Sequence, residues 1–199
     1  MRKAIIKRKT KETQISVKLN IDGKGRSKIS TGIGILDHML ELFAFHGLFD
    51  LEVGASGDFK IDIHHTNEDV GLVLGQAFKK ALGNKKGIKR FGSASVPMED
   101  AVANVATDIS GRGFFKNIAV SGAIQGGAIA EYSIEDVNHF LEALAKNMGL
   151  NLNIKLSTSS LDLHTNLEPI FKALGIALDQ ATQIDPRRKG IPSTKGVID

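Results

Sequence analysis

The sequence predicts an α+β fold made from an internally duplicated unit. Three observations carry this reading. Stretches that alternate apolar and polar residues, as strands do, are interleaved with stretches whose apolar residues recur every three to four positions, as in helices. The stretch Asp62-Ile-His-His-Thr-Asn-Glu-Asp69 returns in weaker form as Asp162-Leu-His-Thr-Asn-Leu-Glu168. Each is preceded by a helical stretch carrying a histidine, with 26 residues from His38 to His64 and 25 from His139 to His164. One such set arises by accident; two at near-equal spacing are most simply an internal duplication holding two pseudosymmetric metal positions. The halves are 1–90 and 91–185, followed by a basic tail, 186–199.

In the first half, residues 15–21 alternate and form a strand with one buried face. Glu12 lies just before it, an exposed charge on the plainest reading. Asp22-Gly23 marks a turn, and 28–30 a short partner strand. A helix starts at Thr31 or Gly32, with Ile35, Met39, Leu42 and Phe43 on one apolar stripe. His38 is off that stripe, beside Asp37, and His46-Gly47 ends the helix. Residues 48–53 and 59–63 read as two more strands, the second delivering His64 and His65 at its end. Thr66 caps the next helix with Asp69 as its capping-box partner. Val70, Leu74, Ala77, Phe78 and Ala81 form the buried stripe, and Gly83 closes the helix.

Glu68 then falls in the first helical turn, directly after the histidines. Consecutive residues leaving a strand point in opposite directions, so His64 and His65 serve two ions or two neighbouring subunits. Neutral imidazoles with a carboxylate suit manganese, iron or zinc. The plain alternative is a polar corner in which Glu68 only complements the helix dipole.

In the second half, 85–90 is a basic loop and 101–109 a strand. The strand runs into Ser110-Gly-Arg-Gly113, where flanking glycines free the backbone and let Arg112 reach an anion such as phosphate. Residues 121–130, rich in Gly and Ala, read as a loop or hairpin tip. Ile134, Val137, Leu141, Leu144 and Met148 mark a helix containing His139, and 150–156 is a strand. A last helix buries Ile170, Leu174, Ala177, Leu178 and Ala181. Pro169 belongs in a first turn, which puts the start of that helix near Thr165. In the tail, Ser193 and Lys195 with nearby amides suit an anion nest; fraying is the alternative.

Composition narrows the function. The net charge of +4 is mild, and the chain has one Tyr and no Trp, so neither a polycationic nor a base-stacking nucleic-acid surface is expected. With no cysteine there is no disulfide and no thiolate metal site. No window reaches the roughly 20 apolar residues of a membrane span, and the N-terminus lacks a signal-peptide core. A soluble cytoplasmic protein is expected.

Taken together, the motifs resemble the imidazoleglycerol-phosphate dehydratase family of histidine biosynthesis. The matching stretches are Lys11-Glu-Thr, Thr31-Gly-Ile-Gly-Ile-Leu-Asp-His-Met-Leu40, Phe45-His-Gly, His64-His-Thr-Asn-Glu-Asp69, Arg90-Phe-Gly, Val96-Pro-Met, Asp108-Ile-Ser-Gly-Arg112, Glu168-Pro-Ile-Phe-Lys-Ala173 and Pro192-Ser-Thr-Lys-Gly196. The resemblance implies that each half packs a four-stranded sheet on two helices, as in the second domain of a small-subunit ribosomal protein. It implies trimers assembling into a 24-subunit shell with sites shared between subunits, and two Mn2+ ions per active site. By the same token the metal ligands are His38, His64, His65, Glu68, His139, His164 and Glu168. The substrate, a small phosphorylated imidazole, falls to Glu12, His46, Arg90, Arg112, Lys172, Ser193 and Lys195, with the tail on the phosphate. Glu12, Glu68 and Glu168 are the carboxylates for proton handling.

The second half departs from the family pattern. Thr165 stands where a second histidine is usual, Ser160-Leu-Asp162 replaces Gly-x-Asn, and Asn153 replaces a histidine. Glu99-Asp100, Gly113 and Asn138 also differ from the usual residues. Two readings stay open. One is an active dehydratase whose second metal position is completed by Asp162, by water or by another subunit. The other is a weakly active or inactive paralogue that keeps the fold, the assembly and a partial metal site.

Overall fold

A computed structural model describes residues 2–120 and 132–198; the expected loop at 121–130 lies outside the described residues. The first half runs β1 (Lys3–Lys9), β2 (Thr13–Asn20), β3 (Ser27–Ser30), α1 (Gly34–His46), β4 (Asp50–Gly57) and α2 (His64–Leu82). The second repeats that order as β5 (Phe91–Met98), β6 (Ala101–Asp108), β7 (Ala119–Val120), α3 (Ile134–Met148), β8 (Asn151–Thr158) and α4 (Leu163–Thr182). The sheets have matching strand orders, β1-β2-β4-β3 and β5-β6-β8-β7. In each, the first three strands of that order are antiparallel and the short edge strand is parallel to its neighbour, reached through a crossover helix. The duplication read from histidine spacing is therefore present in the topology.

Alternation along β2, β6 and β8 turns residues such as Ile15, Val17, Ala103, Val105, Leu152 and Ile154 inward, and these join one continuous core with the helices. The helices meet crosswise between the halves: α2 packs on α3, and α1 on α4. Glycine sets how closely. A Cβ on Gly75 would lie 2.6 Å from the Leu144 carbonyl oxygen of α3, and one on Gly175 would lie 2.6 Å from the Phe43 carbonyl oxygen of α1. The two halves thus use the same device at matched positions.

Several expectations need correction. Residues 59–63 are not a strand; Phe59 and Ile61 are exposed in a turn. Instead β4 runs on through Gly57, because β2 pairs with it as far as Thr13 opposite Gly57. The missing strands are β1, β5 and the two-residue β7, all on sheet edges, where charge and Pro97 are tolerated. Thr66 does not cap α2: Ile63 takes the N-cap position without a side-chain bond, and Thr66 is buried inside the helix. Asp69 accepts bonds from Arg8 and Thr13 instead. The cap of α4 is Asp162, which accepts the Thr165 N–H at 2.9 Å. Pro169 therefore sits inside the helix rather than in its first turn.

Candidate active site

These helix starts decide where the carboxylates point. His64 opens α2, so Glu68 lies one turn further on, four residues away and on the same face. His164 and Glu168 of α4 stand in the same relation. Neither glutamate is in a first turn, and the shared face, not the helix dipole, is what brings carboxylate and imidazole together.

Two histidine sets result, each drawing on both halves. In one, His64 of α2 faces His139 of α3 edge-on, with ring centroids 4.7 Å apart. Their ligand atoms lie with one from Asp136 within 4.8 Å of one another. Glu68 approaches His64 Nε2 to 3.4 Å and lines the same cavity of about 280 Å3 as His64, His139 and Lys146. In the other set, His38 of α1 and His164 of α4 both face Glu168, at 3.3 and 2.8 Å from Oε1. The convergence occurs within one chain, because the cross-packing of α2 on α3 and α1 on α4 supplies it. Larger grooves exist, such as one of about 610 Å3 over Lys7, Lys9 and Ser16, but the metal-competent donor groups lie elsewhere.

Glu168 is the most perturbed of these groups. Burial alone would raise its pKa, but hydrogen bonds from Lys172, His164 and His38 outweigh it and hold the value at about 2. Lys172 Nζ is 2.5 Å from Oε2. His46 belongs to this neighbourhood: burial first, then the Lys172 charge, pushes its imidazole below the usual range, against the pull of Glu168.

His65 stands apart from both sets. The strand argument separated it from His64; the actual reason is a helical turn that sends the two rings in different directions. Its Nδ1 lies 3.1 and 3.2 Å from the two oxygens of Asp58. The Asp58 hydrogen bond raises its pKa, and the nearby Glu12 carboxylate adds to the effect. The charge of Glu12, exposed and far away in sequence, thus reaches His65.

At the matching position of the second half, Thr165 is 7% exposed, and its hydroxyl donates to Asp162 at 2.8 Å. It serves the helix cap. Asp162 is engaged by that cap and is absent from the donor group formed by His38, His164 and Glu168, so it does not complete this set.

The remaining residues gather elsewhere. Arg90 donates to both oxygens of Asp108, at 2.6 and 3.0 Å, and to the Pro192 carbonyl at 3.0 Å. It lies 4.9 Å over the Phe91 ring. Through Pro192 it ties down the segment bearing Ser193 and Lys195, so the tail is held rather than frayed. Arg112 is exposed after β6.

Two carboxylates escaped the sequence reading. Asp136 precedes His139 by three residues, a helical spacing that would have signalled it; it also accepts from Ser133 in the α3 capping box. Asp58 left no periodic signal, because a turn brings it to His65.

Comparisons with known proteins bear on the family and the fold. A family model described as imidazoleglycerol-phosphate dehydratase matches residues 31–178. A relative of that name from Thermoanaerobacter pseudethanolicus is 54% identical over 198 residues, covering 100% of both chains. Another from Geobacter metallireducens is 52% identical and covers 99% of both. A solved structure of IGPD from Pyrococcus furiosus superposes with a TM-score of 0.81 at 34% identity, covering 96% of this chain and 99% of that one. The enzyme of that name from Staphylococcus aureus gives 0.78 at 32%, covering 92% and 100%. With half of its residues shared end to end, and the same fold in the solved structures, this chain belongs to the imidazoleglycerol-phosphate dehydratase family.

Proposed function

We propose that the protein removes water from imidazole glycerol phosphate to give imidazole acetol phosphate, a hydro-lyase step in histidine biosynthesis. The observation that carries the reading is the pair of cross-half donor sets: His64 with His139 and Asp136, and His38 with His164 and Glu168. Two imidazole nitrogens and a carboxylate oxygen in each set fit a divalent transition ion, and Mn2+ is our assignment. His65 is a further ligand, and Glu68 and Glu168 close their sets. Held by these residues, such an ion would stabilise negative charge in the substrate's imidazole ring, which would help expel the hydroxyl on the carbon attached to the ring.

The chain's own groups do the rest. The hydroxyl on the carbon attached to the ring takes up a proton and leaves as water, and the adjacent carbon, which keeps its own hydroxyl, loses its proton. The resulting enol becomes the ketone. Glu12, on an exposed loop, and the helix carboxylates Glu68 and Glu168 handle these protons or support their transfer. Glu168 is held as an anion by Lys172 and two histidines. His46 lines the imidazole end. Arg90, Arg112, Lys172, Ser193 and Lys195 hold the phosphate, fixing the reacting carbon.

Residues 1–90 and 91–185 act as the two halves of one unit, with 186–199 as the phosphate tail. Subunits associate as trimers and on into a 24-subunit shell in the cytoplasm. No described helix is long and apolar enough to cross a membrane. The test is conversion of imidazole glycerol phosphate by purified, Mn2+-loaded protein. Absence of the ketone product across the neutral pH range would overturn the assignment. It would favour instead the weakly active or inactive relative to which the inward-turned Thr165 points.

A further inference from the structure

Asp58 belongs to no donor set, yet both of its carboxylate oxygens lie within 3.2 Å of His65 Nδ1. We propose that Asp58 is a positioning residue. It fixes His65 as the Nδ1–H tautomer and turns the bare Nε2 outward as a ligand for the divalent ion. The inference rests on the reading of His65 as a metal ligand.

The local fold is built for this contact. Asp58 follows directly on the end of β4 and opens the turn that leads to α2, its backbone carbonyl accepting the Ile61 N–H at 2.8 Å. Gly57 lets that strand end press on α2: a Cβ there would run into the Thr66 hydroxyl. The close approach brings the carboxylate to a ring seven residues away. An imidazole whose Nδ1–H is held by a carboxylate presents Nε2 with its lone pair free, and ring rotation is blocked.

The second half supplies an independent argument. Thr165 replaces the imidazole there, and the stretch Thr158-Ser-Ser-Leu161 leading to it carries no carboxylate. The residue matching Asp58 is Thr158, so this ring–carboxylate pair exists in one copy only; in the other, Thr165 is held by Asp162 of its helix cap instead.

Two readouts test the proposal. The first is magic-angle-spinning NMR of metal-free protein labelled on its 6 histidines, with His65→Ala identifying the His65 signal. Wild type should show the Nδ1–H form, and Asp58→Ala should shift it toward the Nε2–H form. Asp58→Asn, whose amide oxygen still accepts, should restore the wild-type signal. The second is titration of Mn2+ into the same proteins. Asp58→Ala should weaken one class of sites by about 10–100-fold, the range for losing a ligand's hydrogen-bond partner, and leave the His38/His164/Glu168 class unchanged as a control for folding. An unchanged His65 tautomer in Asp58→Ala overturns the proposal while leaving His65 as a ligand. Wild-type Mn2+ affinity in His65→Ala overturns the ligand reading itself.

Discussion

Gly75→Ala sets two physical effects against each other. In an unconstrained helix the change should stabilise, since alanine is about 1 kcal/mol better than glycine as a helix former. Here the new Cβ would lie 2.6 Å from the Leu144 carbonyl oxygen and 3.0 Å from the Met148 nitrogen. A tolerable carbon–oxygen contact is about 3.3 Å, so α2 must retreat from α3 by about 0.7 Å. Both atoms are backbone and cannot rotate away, which puts the overpacking cost near the upper end of about 1–3 kcal/mol. The net expectation is a loss of about 1–2 kcal/mol. For a chain of this size that lowers Tm by about 2–8 °C.

The retreat also separates His64 from His139, whose rings are 4.7 Å apart, and should weaken Mn2+ binding at that set while sparing the other. Gly175→Ala makes the reciprocal case, since its Cβ would meet the Phe43 carbonyl between α4 and α1. Thermal melts at fixed protein concentration, with Mn2+ titrations of each variant, measure both effects. A Gly75→Ala protein with Tm at or above wild type would refute the claim that helix contact sets the donor geometry. So would equal loss at both sets.

Thr165→His must turn an imidazole outward while the Asp162 cap survives through the backbone N–H at 2.9 Å. It should raise the Mn2+ bound per subunit, and metal content per subunit that does not rise would show that the position is not a lost ligand. Chelation should lower Tm by about 5–10 °C if ions are held at about a hundredfold over Kd; a melt that ignores both chelator and added Mn2+ would count against a resident ion. Asp50 is held below the usual carboxylate range by the Arg26 guanidinium and then by the Lys24 N–H. A depressed folded pKa contributes stability that is complete above the unfolded value near 4 and is lost as pH falls through the lower folded one. Asp50→Asn should therefore flatten the acid limb of a stability–pH curve, by at most about 1 kcal/mol for so exposed a pair. Wild-type and variant curves that run parallel down to about pH 2 would contradict this.

How much was legible depended on whether a segment carried its own periodic signal. The stripes of α2, α3 and α4 and the alternation of β2, β6 and β8 repeat at periods fixed by backbone geometry, and they fall where expected, whereas the buried face of α1 is rotated to Leu36, Met39, Leu40 and Phe43, leaving Ile35 and Leu42 half-buried. β1 did not, because an edge strand rich in lysine and arginine has little apolar alternation to offer. β5 did not, because Gly92, Ser93, Ser95 and Pro97 have weak strand preference and the β6 ladder imposes the conformation. Phe59 and Ile61 imitated a strand, yet both side chains are exposed.

The sequence by itself determined the duplication, the residue types able to hold a metal ion, and the missing imidazole at Thr165, since each is written in spacing and identity. Tertiary structure alone decided which groups meet. His64 finds His139, and His38 finds His164 and Glu168, because glycine-thinned helices from opposite halves cross, and local periodicity cannot encode contacts between segments a hundred residues apart. The same holds for Asp58 on His65: a turn with no periodic pattern makes that contact, so only the folded chain reveals it.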